Sequence, residues 1–134
     1  MTQGAFDEEY HYKDDEEGIP ISVILTYGAK TVRTDAKVDP GSAVCLFSHE
    51  DGLDLGVPIE QGDPIRLGGL TGSLEAFGHE VILQTGHLAF QSTVYFAKYP
   101  GLPRNLLGRR GWLRNLRMAL IDYDNLLYLN AYDS

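Results

Sequence analysis

Beyond Gly18 the sequence places apolar residues at every second position over long stretches, and that spacing restricts the chain to strands with one buried and one exposed face. Ile19 to Thr26 reads as a strand and is followed by a turn at Tyr27-Gly28-Ala29-Lys30. In Thr31 to Asp39, Val32, Thr34, Ala36 and Val38 alternate with Thr31, Arg33, Asp35 and Lys37, which makes the pair a hairpin with a half-exposed second strand. After Pro40-Gly41 the run Ala43 to Phe47 is apolar without interruption, the pattern of a strand buried on both faces. Ser48 with Asp51 three residues later is a helix N-cap signature. Gly52 limits the expectation to a single turn ending near Gly56.

Pro64 to Leu70 and Leu74 to Leu83 flank Gly68-Gly69-Leu70-Thr71-Gly72-Ser73, a glycine-rich tip that joins them as a mobile hairpin. Leu88 to Ala97 is another strand, with Leu88, Phe90, Val94 and Phe96 on one face. After the turn Tyr99-Pro100-Gly101-Leu102-Pro103, Trp112, Leu113 and Leu116 recur at helical spacing, so a short amphipathic helix is expected from Gly108 to about Leu116. Met118 to Tyr123 and Leu126 to Ala131 form a terminal hairpin around Asp124-Asn125. Many short strands with frequent turns imply a mostly β fold, a small closed β-barrel with one short C-terminal helix. No repeat or long linker interrupts residues 19–134, which read as a single domain.

The net charge of −8 is unevenly placed, since residues 1–18 hold seven of the nineteen acidic residues and one of the eleven basic ones. That segment, with Asp7-Glu8-Glu9 and Asp14-Asp15-Glu16-Glu17 around Tyr10, His11 and Tyr12, is expected to be a flexible, solubilising leader. Docking onto the arginines near the C-terminus is its alternative. Those arginines, Arg104, Arg109, Arg110, Arg114 and Arg117, are too localised for a nucleic-acid-binding face and read as a solvated helix face or a partner contact. No run approaches the roughly 18 apolar residues of a membrane span, and the N-terminus is acidic where a secretory signal would be basic and then apolar. An intracellular, cytoplasmic protein is expected, with no membrane and no nucleic acid among its partners. The single cysteine, Cys45, lies in the apolar run and reads as a buried, inert thiol.

The sequence offers few sites for chemistry. His49-Glu50-Asp51 and His79-Glu80 lack the second histidine of a His-Glu-x-x-His site, so no metal and no cofactor are expected. The glycines of Leu67 to Ser73 lack the Lys-Ser/Thr of a phosphate loop and serve a turn. Asp39 stands apart: it ends an alternating strand, precedes the rigid Pro40-Gly41 pair, and leads into a buried run. Such an aspartate either accepts hydrogen bonds from the amides of its own turn or presents a carboxylate at the edge of the core.

The order of segments discriminates further. Ala36-Lys37-Val38-Asp39-Pro40-Gly41-Ser42-Ala43, the glycine-rich hairpin Leu67 to Phe77, Asn105-Leu106-Leu107-Gly108-Arg109-Arg110-Gly111-Trp112-Leu113 and Met118-Ala119-Leu120-Ile121-Asp122-Tyr123 together resemble the retropepsin-like aspartic proteases. The resemblance runs from Ile19 to about Tyr132. It implies the retropepsin type of β-barrel and a homodimer in which each subunit contributes one Asp39 to a catalytic pair, with Gly41 and Ser42 in the same motif and the Ser42 hydroxyl donating to the carboxylate. It also implies a flap, with Leu67, Gly69, Leu70, Thr71 and Gly72, and with Leu107 beside it, contacting a peptide or protein substrate. Pro40, Gly108 and Arg109 take structural and dimer-forming roles.

Two positions depart from the family. Pro40 stands where Thr or Ser is usual, and Ala43 where viral members carry an acid that pairs with the arginine after Leu-Leu-Gly; Arg109 would then find its partner in a carboxylate of the other subunit. The implied activity is that of an aspartic endopeptidase. A dimer of the same fold that binds peptides without cleaving them is the alternative.

Overall fold

The computed structural model describes residues 8–14, 18–69 and 72–132. The alternating segments fold as expected. β2 (Pro20–Tyr27) and β3 (Lys30–Val38) form a regular antiparallel hairpin, with Ile21, Val23 and Leu25 buried on one face. The apolar run places Val44, Cys45 and β4 (Leu46–Phe47) in the interior. β5 (Asp63–Gly69) and β6 (Gly72–Thr85) form the glycine-tipped hairpin, and β7 (Leu88–Ala97) pairs with β6 along its whole length.

With β8 (Leu106–Leu107) the sheet order is β2-β3-β8-β4-β7-β6-β5, and β2 pairs in addition with β6 through Leu25 and Leu83. That last pairing returns the ladder to its first strand. The inward faces carry Val23, Leu25, Phe47, Leu83, Val94, Phe96 and Leu107, while Trp112 closes the core from outside the sheet and donates from its indole N–H to buried Thr85 at 3.2 Å. Removing a ring buried to this degree typically costs about 3–5 kcal/mol. A mostly β fold is what the periodicity predicted.

The helix is displaced from its expected position. Residues 108–116 hold only a 3-10 turn, Leu113–Asn115, whereas the α-helix among the described residues is α1 (His49–Leu55), where the sequence supported a single turn. The reason is local. Gly111 has φ 99°, outside the helical region, and the amides of Arg109 and Arg110 donate to the carbonyls of Ser42 and Ala43 at 2.9 and 3.0 Å. Those first amides would be free in a helix as well, but Gly111 breaks the i to i−4 ladder, and the amides of Leu113 and Arg114 reach back five residues, to the carbonyls of Gly108 and Arg109. At α1 the Ser48 hydroxyl accepts from the Asp51 amide at 3.0 Å, the cap that the sequence signalled.

A second sheet has the order β1-β10-β9, from β9 (Leu116–Ile121), β10 (Leu126–Ala131) and β1 (Glu8–His11). Within the segment 1–18, expected to be a flexible leader, Glu8–His11 form a strand, and residues 1–7 and 15–17 lie outside the described residues. Tyr10 and Tyr12 turn toward the core while Glu9 and His11 face solvent, and Glu8 accepts the His87 amide at 3.0 Å. No helix among the described residues is long and apolar enough to cross a membrane.

Burial, assisted for Tyr12 by Asp122, which accepts its hydroxyl proton in a hydrogen bond, pushes the phenol up to about 12; burial and the nearby Glu8 do the same for Tyr10. A phenol with a raised folded-state pKa contributes stability that is complete below about pH 10 and lost as pH rises toward 12. Urea titrations at successive pH values are expected to show that loss, and Tyr12→Phe to reduce its size. An identical alkaline slope in the variant would rule out this role for Tyr12.

Candidate active site

Asp39 leaves the end of β3 held on both sides. The amide of Val38 donates to Ile19 at 2.9 Å and that of Asp39 to Leu107 at 2.9 Å. The next residues form a four-residue turn closed by the Ser42 amide on the Asp39 carbonyl at 3.0 Å. Pro40 occupies the second position of this turn and Gly41 the third, with Gly41 outside the positive-φ region. Proline is favoured at that second position because its fixed φ suits it and the turn bond needs no donor there. Pro40 therefore fits the backbone of its own subunit.

The Asp39 carboxylate realises both readings the sequence left open. Its Oδ1 accepts the Gly41 amide at 2.9 Å. Among the described residues its Oδ2 has no hydrogen-bond partner, and the side chain is half-buried. The Ser42 hydroxyl, by contrast, does not donate to the carboxylate as the resemblance implied: it donates to the Val44 carbonyl at 2.7 Å and has no second proton to give. Ser42→Ala is thus expected to cost about 1 kcal/mol of stability while leaving the pH profile of any turnover in place. A displaced profile would show that the hydroxyl reaches the carboxylate after all.

Residues 108–110 run directly against this turn. A Cβ on Gly108 would lie 2.1 Å from the Val44 carbonyl oxygen and 2.7 Å from that of Ser42, so the approach excludes every side chain. Arg109 and Arg110 then donate their amides to Ser42 and Ala43, and Arg110 forms an isolated parallel bridge with Val44. The Arg109 side chain is exposed, with no ion pair among the described residues. Cys45, beneath the turn, is fully buried, and burial pushes its thiol up to about 12. The inert reading stands.

Between the turn and the β5–β6 hairpin lies a cleft of about 740 Å³. Gly41, Ser42, Ala43 and Leu46 form one wall, Leu67, Gly68, Gly72, Ser73 and Leu74 the facing one, and Leu102 and Leu106 an end. Of the residues the resemblance assigned to a flap, Leu67 and Gly72 line the cleft. Gly69 ends β5 opposite Gly72, and Leu70 and Thr71 lie outside the described residues.

Leu107 belongs to the core, fully buried, and its neighbour Leu106 faces the cleft in its place. Register explains the exchange: Leu107 pairs with inward-facing Val38 and Leu106 with Lys37. Leu102 had no sequence signal beyond its place in a Pro-Gly turn. Among the described residues no group of three or more His, Cys, Asp or Glu side chains is placed to hold a metal ion.

No family model matches the sequence, and no curated protein matches it significantly. Solved structures do match. The EIAV protease complexed with the inhibitor HBY-793 is similar with a TM-score of 0.55 at 17% identity, over 72% of this chain and 86% of that one. A retropepsin-like aspartic protease from Rickettsia conorii is similar with a TM-score of 0.66 at 16% identity, over 90% of this chain and 95% of that one. With the order of strands, the turn at Asp39 and the hairpin over the cleft, these similarities give the chain the fold of the retropepsin-like aspartic proteases.

Proposed function

We propose that the chain is one half of an aspartic endopeptidase. The observation that carries this reading is the Asp39 carboxylate, fixed through Oδ1 and unpartnered at Oδ2 among the described residues, at the margin of a largely apolar cleft roofed by a hairpin. Among the described residues the lining of that cleft holds no carboxylate, and Asp39 stands just outside it on the turn that carries Gly41 and Ser42, so on this reading a second copy supplies the partner group. An isologous pair related by a two-fold axis brings the two Asp39 side chains together. Two carboxyl groups in contact cannot both ionise readily and share one proton. One carboxylate then takes a proton from the attacking water while the other carboxyl gives its proton to the carbonyl oxygen, forming a neutral gem-diol. As the C–N bond breaks, the first passes the proton from water to the leaving amine and the second takes one back from a diol hydroxyl, which restores the shared proton. The hairpin closes over the peptide and excludes bulk water.

The test is cleavage of a mixed peptide library across about pH 3.5 to 7.5, the range in which paired carboxyl groups exchange their shared proton, at a concentration where sedimentation shows a dimer. Cleavage by the wild type and none by Asp39→Asn supports the reading; a dimer that cleaves nothing at any pH overturns it. Pro40 favours a second reading. It has neither hydroxyl nor amide proton to offer a facing subunit, and a dimer without those contacts is a peptide-binding module that retains affinity when Asp39 is replaced by Asn.

A further inference from the structure

We propose that Asn105 is the positioning residue of the Asp39 turn, its buried amide holding both ends of the segment that carries the carboxylate. The catalytic consequence rests on the reading of Asp39 given above; the positional one does not.

Asn105 is 8% exposed and immediately precedes β8. Its Oδ1 accepts the Ser48 amide at 2.9 Å. Its Nδ2 lies 3.1 Å from the Thr34 hydroxyl, 3.0 Å from the Asp35 carbonyl and 2.9 Å from the Asp51 carboxylate. Its backbone carbonyl accepts the Lys37 amide at 2.9 Å. Thr34, Asp35 and Lys37 lie on β3 just before Asp39, whereas Ser48 and Asp51 open α1 just after β4. A single side chain therefore ties the strand that enters the turn to the helix that follows it, and ties both to the strand whose next residues, Leu107 to Arg110, hold the turn itself.

The capping geometry shows that the amide is inserted rather than incidental. Ser48 accepts from the Asp51 amide, the first half of a capping box. The second half would send the Asp51 carboxylate back to the Ser48 amide. Here Asn105 stands between them, accepting from Ser48 N and donating to Asp51 Oδ2. The amide supplies an acceptor and a donor on separate atoms at these two places. Alanine orphans both, and aspartate sets a second carboxylate against Asp51.

The test uses Asn105→Ala, Asn105→Asp and the double variant Asn105→Asp/Asp51→Asn, which restores a donor facing an acceptor. Amide hydrogen exchange is expected to show loss of protection at Asp39, Ser42 and Arg109, with the β6–β7 ladder unchanged. In turnover, Asn105→Asp is expected to lose about 10²-fold in kcat, the scale of a misplacement near 1 Å, with KM within about 3-fold of wild type. The double variant recovers part of kcat, since the Asp51 side is repaired while the Asp35 carbonyl still lacks its amide donor. Unchanged protection at the turn, protection lost evenly over the whole fold, or a double variant no better than Asn105→Asp would overturn the assignment. If the wild type cleaves nothing, the reading of Asp39 fails and the exchange experiment alone decides the role of Asn105.

Discussion

Asp39→Asn is expected, on the dimeric mechanism proposed above, to reduce peptide cleavage by about 10²–10⁴-fold, the range associated with losing a positioned acid or base, without unfolding the chain or that dimer. The fold survives because asparagine keeps a carbonyl oxygen where Oδ1 accepts the Gly41 amide, so the turn closed by Ser42 on the Asp39 carbonyl is retained. The chemistry does not survive, because an amide neither takes a proton from water at these pH values nor passes one to the leaving amine. In a mixed dimer one subunit still contributes an aspartate but has no partner to share its proton. Equal mixtures of wild type and variant are therefore expected to lose more activity than dilution of the wild type alone. Cleavage kinetics measured alongside sedimentation and a denaturant titration check all three statements. Residual activity near wild type in a well-folded variant would place the reaction elsewhere.

Gly108→Ala is expected to have the largest effect on the fold of any single methyl group near the site. The added carbon would meet backbone on two sides, the Val44 and Ser42 carbonyl oxygens, rather than the yielding end of a side chain. Relief requires moving residues 108–110 away from the turn, at the expense of the hydrogen bonds from Arg109 and Arg110 to Ser42 and Ala43. Overpacking alone costs about 1–3 kcal/mol, and two weakened backbone bonds add about 1 kcal/mol each. The sum is a large part of the total stability of a small domain. Thermal and urea unfolding measure it directly. A variant within about 0.5 kcal/mol of wild type, the range of a neutral surface change, would show that the two segments separate at little cost.

The strands were legible because their signal is local. A β-strand with one buried face writes itself as alternation, and β2, β3, β6 and β7 all carry it at nearly their observed lengths. The turn at Asp39 was legible for a similar reason, since a strand end, Pro40-Gly41 and an apolar run are adjacent in sequence, while a catalytic role for its carboxylate came only from the resemblance. The C-terminal helix failed because Trp112, Leu113 and Leu116 match helical spacing by position alone, while Gly111 at φ 99° interrupts the segment and leaves only the 3-10 turn Leu113–Asn115. Leu107 was exchanged with Leu106 because a strand of two residues has no alternation to read, and only pairing with β3 decides which side chain faces inward.

By itself, then, the sequence determined the mostly β architecture, the hairpin over the cleft and the aspartate at its margin, since each depends on residues near one another along the chain. The tertiary structure decided the rest. It directed the Ser42 hydroxyl to Val44, left one oxygen of Asp39 without a hydrogen-bond partner among the described residues, placed the acidic segment Glu8–His11 on β10, and set Asn105 between β3 and α1. Each of these is a choice of hydrogen-bond partner between segments remote in sequence. Such choices follow from which groups are brought together and cut off from water, and the chain fixes that only when the whole fold closes.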